Sequence, residues 1–327
     1  MRKEPLISVI VNVYDSVQKL KKCLDTLKLQ LYNNIEIICI DNGLSAEITA
    51  ELYLYQSKDE RFKIIHHEYS KASSAWNEGL KHSVGSYVHF INTNSWLLLD
   101  LYKVFAEKIQ TCNADIYMFN ANLYRDDVID IPFYELFDSE DIKSVSENNI
   151  YSFKDINHIM TKNLRVFNKI YKKQFLEEYA LFFAKNVYSE YLFNIQTLVK
   201  SKNIYVNNET YLRSSEQLIE EGKNTNGVAD IFSMVIDVER FMSEEELFKY
   251  YVFDIFNYIC NTLDSYYDYC PEEFKMHYFG QMQSGLRARF NSMPPQAQDI
   301  LKNIEDVNFM LTSTFEEYNK KKQEVIL

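Results

Sequence analysis

Short apolar runs alternate with stretches of helical periodicity through about the first 120 residues of the chain. Five runs rich in Val, Ile and aromatic residues are typical of buried strands: 6–14, 35–43, 61–67, 86–92 and 114–124. Apolar residues recur at helical spacing between these runs, and the pattern predicts helices near 17–31, 48–55, 71–85 and 97–109. Because such alternation is typical of helices packed on a parallel sheet, it predicts an α/β fold with a mostly parallel sheet.

The pattern changes twice in the rest of the chain. Residues 125–150 are acidic and irregular, which favours a solvated loop. Beyond them the pattern predicts a helix at 152–161, a strand at 165–171, a helix at 189–200 and a strand at 202–214. From about residue 230 it is wholly helical, with an apolar stripe of Leu247, Tyr251, Ile255, Ile259 and Leu263. We therefore predict an α/β domain over residues 1–215 and a helical region over residues 216–327.

The composition narrows the classes of function. With 46% hydrophobic and 25% charged residues the chain is globular, and its net charge of −12 argues against non-specific binding to nucleic acid. The five cysteines form no C-x-x-C pair, and Cys23 and Cys39 lie among apolar residues, as expected of buried thiols in a reducing compartment. The sequence contains no run of about 18 apolar residues, so it predicts no membrane span. These features fit a cytoplasmic protein, with peripheral contact at the inner face of the membrane left open.

Polar residues follow three of the predicted strands where each strand ends. They are Asn12-Val13-Tyr14-Asp15, Asp41-Asn42-Gly43 and Asn92-Thr93-Asn94-Ser95. Ligands of open α/β sheets bind at the carboxyl ends of the strands, although each segment alone also fits ordinary turn chemistry. No G-x-G-x-x-G or Walker motif is present, which excludes the usual dinucleotide and P-loop sites. The six histidines form no zinc motif, and His89 is predicted to be a core histidine.

Four segments, taken in order, resemble the family 2 inverting glycosyltransferases. They are "PLISVIVNVYDSVQKLKKCLDTLKLQLYNNIEIICIDNG", "SKASSAWNEGLKHSVGSYVHFINTNSW", "VFNKIYKKQFL" and "VYSEYLFNIQTLVKSKNIYVNNETYLRS". The resemblance covers roughly residues 5–215. It implies the GT-A nucleotide-sugar-binding fold, a Rossmann-like sheet flanked by helices. It also implies transfer of a sugar from a nucleotide-sugar donor, with UDP as the favoured nucleotide, to a surface-glycan or lipid-linked acceptor. Such reactions belong to capsule or lipopolysaccharide biosynthesis.

The resemblance gives roles to several matched positions. Tyr14 and Asp41 would hold the nucleotide base, and Asn77 and Gly79 match the helix that approaches the nucleotide. Arg213 matches an arginine that often follows the last strand.

Glu190 matches the expected catalytic base, which takes the proton of the acceptor hydroxyl. Ser189 stands where the family has a preceding Glu. A structural alternative is that Ser189 caps a helix and Glu190 is an acid favoured in the first turn by the helix dipole.

The chain also departs from the family pattern. Asn92 and Asn94 occupy the positions of the two aspartates of the Asp-x-Asp metal turn, so a Mg²⁺ or Mn²⁺ site would be weakened. Trp76 replaces a common arginine, and Asn12 a common proline. The cations Lys71, Lys169 and Arg213 could neutralise a leaving diphosphate, although a solvated surface position is the more common role for each.

Two functions therefore stay open for the chain. One is an active inverting glycosyltransferase, and the other is an inactive GT-A domain that serves as a binding or scaffolding protein. The C-terminal helices could pack as a core, cover the acceptor side, lie on a membrane surface or form a homo-oligomer, and core packing is the commonest role of such a stripe.

Overall fold

The structure is a computed structural model of the chain, and it describes residues 4–14, 16–43, 45–67, 72–125, 128–134, 148–156, 165–185, 188–215, 225–268 and 270–326. The described residues fall into two compact units, one up to residue 215 and one from residue 225 onwards. The predicted boundary between residues 215 and 216 stays a prediction, because residues 216–224 lie outside the described ranges.

A single mixed sheet forms the centre of the first unit. Its strands are β1 (Ile7–Asn12), β2 (Ile35–Asp41), β3 (Phe62–His66), β4 (Tyr87–Asn92), β5 (Ser95–Leu97), β6 (Ile116–Arg125), β7 (Val128–Tyr134), β8 (Ile150–Tyr151), β9 (Lys169–Lys172) and β10 (Ile204–Ser215). The order across the sheet is β3-β2-β1-β4-β9-β6-β10-β5. Strands β1 to β4 are parallel, β9 is antiparallel to both β4 and β6, and β10 is parallel to β6. The predicted α/β fold with a largely parallel sheet is confirmed.

Helices pack against both faces of this sheet. They are α1 (Val17–Lys28), α2 (Ala46–Lys58), α3 (Ala72–His82), α4 (Leu101–Thr111), α5 (Lys173–Glu178) and α6 (Ser189–Lys200). Helices α1, α2 and α4 share one core cluster with Val9 and Ile91. Neighbouring strand residues point to the opposite face, where Phe90 contacts Trp76 of α3 and Phe193 of α6.

Local sequence explains how these helices begin and how closely they pack. The Ser16 and Ser45 hydroxyls accept hydrogen bonds from the first turns of α1 and α2, at 3.3 Å from Lys19 N and 3.2 Å from Ile48 N. Helix α3 approaches β1 so closely that a Cβ on Gly79 would lie 2.2 Å from Cγ2 of Ile10. A glycine at position 79 is therefore needed for α3 to pack this closely on β1, whether or not Gly79 also lies near a ligand.

Several predicted elements differ from the structure near the middle of the chain. The helix predicted from residue 97 begins at Leu101, because β5 first pairs with β10. The predicted loop at 125–150 contains β7, which pairs with β6 from Ala121 onward, beyond Met118 where β9 stops pairing with it. β7 thus satisfies backbone groups that β9 leaves open. Residues 135–147 of this segment lie outside the described ranges.

Two further predictions hold only in part. The predicted helix at 152–161 shows a 3₁₀ turn at Phe153–Asp155, and its residues 157–161 are not among those described. The predicted strand at 165–171 begins only at Lys169, after a 3₁₀ turn at Val166–Asn168.

The second unit is wholly helical in its described part, as predicted. Its helices are α7 (Thr225–Glu244), α8 (Val252–Tyr267), α9 (Glu272–Ser292), α10 (Pro295–Lys302), α11 (Glu305–Thr312) and α12 (Phe315–Ile326). Ile255, Ile259 and Leu263 of the predicted stripe are buried on α8. Leu247 and Tyr251 precede that helix, so the stripe is shorter than predicted. No helix in the described residues is both long and apolar enough to cross a bilayer.

Candidate functional site

The three polar strand ends of the sequence meet at one edge of the sheet. Asn12 is the register partner of Ile40 on one side and Asn92 on the other. The Asn42 amide donates to Asn12 Oδ1 at 2.9 Å and to the Val13 carbonyl at 3.1 Å. The Tyr14 N–H donates to Thr93 Oγ1 at 2.9 Å. We call residues 12–14, 41–43 and 92–95 the rim; Asp15, beside it in sequence, is outside the described residues.

Asp41 is held firmly within the rim. Its carboxylate is buried and accepts hydrogen bonds from the Gly43 N–H at 3.0 Å and the Thr49 hydroxyl at 2.8 Å. Nδ1 of His66 lies 3.1 Å from Asp41 Oδ2, and its Nε2 lies 2.6 Å from the Tyr53 hydroxyl. The carboxylate is thereby fixed in orientation. Sequence reasoning did not identify His66, which faces Asp41 because the two are register partners of β3 and β2.

The two asparagines of the predicted metal turn use their amides differently. Asn92 Oδ1 accepts hydrogen bonds from the Asn94 N–H at 3.0 Å and the Ser95 hydroxyl at 3.3 Å, so it stabilises the turn. Asn94 is buried, and its Oδ1 has no hydrogen-bond partner. Asn12 Nδ2 and Asn42 Oδ1 are buried without a partner as well. An unpaired buried polar atom costs about 1–3 kcal/mol, so three at one rim indicate groups that a ligand or water would satisfy.

Glu190 lies at the same edge of the sheet as the rim. Strand β9 runs antiparallel to β4, so its amino end and the preceding Arg165 lie where β4 ends. Arg165 Nη1 forms an ion pair with Glu190 Oε1, which brings the first turn of α6 to this edge. Glu190 is 6% exposed. The predicted capping role of Ser189 is wrong, because Tyr188 holds the cap position and Ser189 is the first helical residue.

Lys169 is a buried lysine that holds the backbone next to the ion pair of Arg165 and Glu190. It is 0% exposed, its ammonium donates to the Arg165 carbonyl, and it lies 3.0 Å from Asn168 Oδ1. Burial lowers the pKa of Lys169 to about 7, against the attraction of the Glu190 carboxylate. The expected solvated position of Lys169 is therefore wrong, because β9 lies between β4 and β6. Lys71 is outside the described residues.

Other predicted site residues have structural partners. The Asn77 amide donates to the Phe183 carbonyl at 2.8 Å and accepts from the Phe183 N–H at 3.0 Å, which anchors the segment before α6. Trp76 is buried against Phe183, at 4.8 Å between ring centroids. The relation of Asn77 to a nucleotide stays a prediction.

Arg213 lies beside the rim and is half-buried. It is the register partner of Trp96, and two residues later the Ser215 N–H donates to the Asn94 carbonyl at 2.9 Å. A role for Arg213 in nucleotide binding likewise stays a prediction.

Comparison with known proteins shows which family this chain belongs to. The family model described as "Glycosyl transferase family 2" matches residues 8–179. The chain belongs to glycosyl transferase family 2. Over 213 residues it is 30% identical to glycosyltransferase GlyA of Streptococcus pneumoniae, covering 63% of this chain and 30% of GlyA. It is 27% identical over 206 residues to the putative glycosyltransferase EpsH of Bacillus subtilis, covering 56% of this chain and 58% of EpsH.

A solved structure shows the same fold over nearly the whole chain. TarS 1-349 of S. aureus, in complex with UDP-GlcNAc, superposes with a TM-score of 0.68 at 13% identity. The superposition covers 98% of this chain and 92% of that one. By contrast, the sequence matches span less than two thirds of either GlyA or EpsH.

The turn at residues 92–95 of this family 2 chain does not fit a divalent metal. Mg²⁺ and Mn²⁺ favour anionic oxygen ligands. The turn offers two neutral amides, of which Asn92 Oδ1 is already engaged and Asn94 Oδ1 is unpaired. The described residues also contain no group of three or more His, Cys, Asp or Glu side chains placed to hold a metal.

Proposed function

We propose that this chain is a glycosyltransferase that takes a sugar from a nucleotide donor, with UDP as the nucleotide. The rim carries the proposal, because three buried polar atoms without partners lie where the carboxyl ends of β1, β2 and β4 meet. The names of GlyA and EpsH, and the UDP-GlcNAc held by TarS, support the same class of reaction.

The rim residues would divide the donor between them. The ring of Tyr14 would stack on the base, and the Asp41 carboxylate, already oriented by Gly43 and Thr49, would accept a hydrogen bond from the imide N–H of uracil. Asn92, Asn94 and Arg213 would lie towards the sugar and the diphosphate, with Asn94 Oδ1 as the free acceptor. Asn77 would act indirectly, by fixing the segment that leads into α6.

The reaction we propose is a single displacement. Glu190 takes the proton of an acceptor hydroxyl as that oxygen attacks the anomeric carbon of the donor sugar. The bond from this carbon to the diphosphate oxygen breaks, and its electron pair leaves with the nucleoside diphosphate. Attack opposite to the leaving group inverts the anomeric configuration.

We further propose a surface glycan or a lipid-linked saccharide as the acceptor, and a cytoplasmic enzyme that works near the inner face of the membrane. Residues 1–215 would form the transferase domain. Residues 216–327 would serve acceptor binding or self-association.

A nucleotide panel tests this function directly. UDP, UDP-sugars and GDP-mannose are added to the protein, and the unfolding temperature is measured with EDTA and with Mn²⁺. A ligand that binds the native state raises this temperature by mass action, so UDP compounds should raise it and GDP-mannose should not. Donor hydrolysis is then compared between the wild type and Glu190→Gln, which should bind the donor but lose turnover. Equal turnover in the two proteins would remove Glu190 from the mechanism.

An inactive binding protein is the second candidate. The amide pair Asn92 and Asn94 favours it, since it replaces the charged turn that the family resemblance implies. The same panel separates the two functions. UDP-sugar binding with no hydrolysis, and with no transfer to any saccharide or lipid-linked acceptor offered, would favour the binding protein.

A further inference from the structure

The proposed reaction requires positive charge at the leaving diphosphate. The rim turn supplies none, because its two side chains are neutral amides. We therefore expect cations on neighbouring elements to face the diphosphate, and Arg213 of β10 would be one of them. Lys169 is poorly suited, since it is fully buried and its ammonium is bonded to Arg165 O and Asn168 Oδ1.

Arg165 has the position and the chemistry that this task needs. It lies just before β9, at the edge where β4 and its turn end. Its guanidinium is always charged and presents several N–H donors in one plane, which suits a diphosphate. The ammonium of Lys169 donates a hydrogen bond to the backbone carbonyl of Arg165. The Arg165 side chain is 16% exposed, and its Cζ lies 5.8 Å from the centroid of the Tyr191 ring. The backbone of Arg165 is thus held in place, while part of its side chain stays exposed, where the proposed diphosphate would bind.

The present partner of Arg165 is the proposed base. One Glu190 oxygen is occupied by the guanidinium, so the proton of an acceptor must compete with that cation. A diphosphate carries more negative charge than one carboxylate and accepts several of the same hydrogen bonds.

We propose that Arg165 binds the diphosphate of the donor, and that this change of partner, from Glu190 to the diphosphate, frees Glu190 to act as the base. The inference rests on the proposed function and deepens it. It makes the ion pair a link between donor binding and catalysis, so that Glu190 becomes available only when a leaving group is in place.

Binding of uridine, UMP and UDP in EDTA tests this inference by isothermal titration calorimetry. Arg165→Met should weaken UDP binding by roughly 10- to 100-fold and leave uridine binding unchanged, as loss of a charge-assisted contact predicts. Arg165→Lys should restore part of the UDP affinity. Glu190→Gln should strengthen UDP binding, because the competing carboxylate is gone. The control Arg240→Met removes an exposed arginine and should match the wild type.

The opposite signs of the two main variants separate a diphosphate site from a structural ion pair. A structural pair would make Arg165→Met and Glu190→Gln weaken all three ligands together. An unchanged ratio of UDP to uridine affinity in Arg165→Met would overturn the inference and leave the proposed function standing. If the wild type bound neither uridine nor UDP, the proposed function would fall, and the inference with it.

Discussion

Replacing Lys169 with Met should remove a specific pH dependence from the stability of the protein. Lys169 is fully buried, and its pKa falls from the ordinary 10.5 to about 7. Between these two values the unfolded chain binds more protons than the folded one, so this lysine makes stability rise with pH. The cost of burying its charge is complete below about pH 7 and disappears above about pH 10.5.

The size of the effect follows from the same two values. The full difference corresponds to roughly 5 kcal/mol, at about 1.4 kcal/mol for each pH unit. Between about pH 7 and about pH 8.5 the wild type should gain about 1.5 kcal/mol from Lys169 alone. This window lies below the ordinary pKa of 9.0 for cysteine thiols. The buried Cys23, whose pKa is raised to about 12, contributes equally to wild type and variant.

Urea unfolding followed by tryptophan fluorescence measures this gain. Both tryptophans of the chain, Trp76 and Trp96, lie in the unit that contains Lys169. Lys169→Met leaves the Arg165 carbonyl without this donor, so its absolute stability is not the test. The test is the difference between wild type and variant, which should grow by about 1.5 kcal/mol in favour of the wild type across the window.

A matched control uses Lys81→Met, since Lys81 is 70% exposed on α3. This variant should keep the pH dependence of the wild type. If the curves of wild type and Lys169→Met ran parallel, Lys169 would not titrate in this range and the reasoning from its burial would be wrong.

Three further predictions concern packing, metal binding and acid sensitivity. Gly79→Ala should lose about 1–3 kcal/mol in urea unfolding, because its Cβ would overlap Ile10, and Ile10→Ala in the same chain should recover part of that loss. Asn92→Asp combined with Asn94→Asp should make the unfolding temperature with UDP rise on adding Mn²⁺, a response that the wild type should lack. Burial lowers the pKa of His89 to about 4, so wild-type stability should fall by up to about 3 kcal/mol as pH drops from about 6.5 to 4, and this loss should shrink in His89→Gln.

The sequence predicted the parallel half of the sheet well because β1, β2 and β4 are buried on both faces. Continuous apolar runs therefore mark them. His89 also behaves as predicted, since its Nδ1 lies 2.8 Å from the Tyr102 hydroxyl and its Nε2 donates to the Phe167 carbonyl at 2.7 Å. The short strand β5 escaped prediction because it is defined by pairing with β10, more than a hundred residues away. No local pattern records such a partner.

The candidate site likewise has features that local sequence predicts and features that depend on contacts between distant parts of the chain. Its rim could be predicted, since polar residues at the ends of adjacent parallel strands must converge. The contacts of Arg165 with Glu190 and of His66 with Asp41 could not be predicted, because they depend on which helices and strands lie side by side in the fold. Lys169 was misjudged for this reason: a lysine is usually exposed, but β9 carries this one into the middle of the sheet.

Charge balance bears on how the asparagine pair should be understood. In the metal turn that the family resemblance implies, the charges of two carboxylates and a divalent cation sum to zero, and the neutral amides of Asn92 and Asn94 give the same net charge. What the two amides do not supply is a concentrated positive charge beside the phosphates. Arg165 and Lys169 together exceed Glu190 by one positive charge when Lys169 is protonated. In the proposed reaction, a diphosphate that draws Arg165 away from Glu190 would gain that concentrated charge from the guanidinium, so an active transferase is compatible with the amide pair.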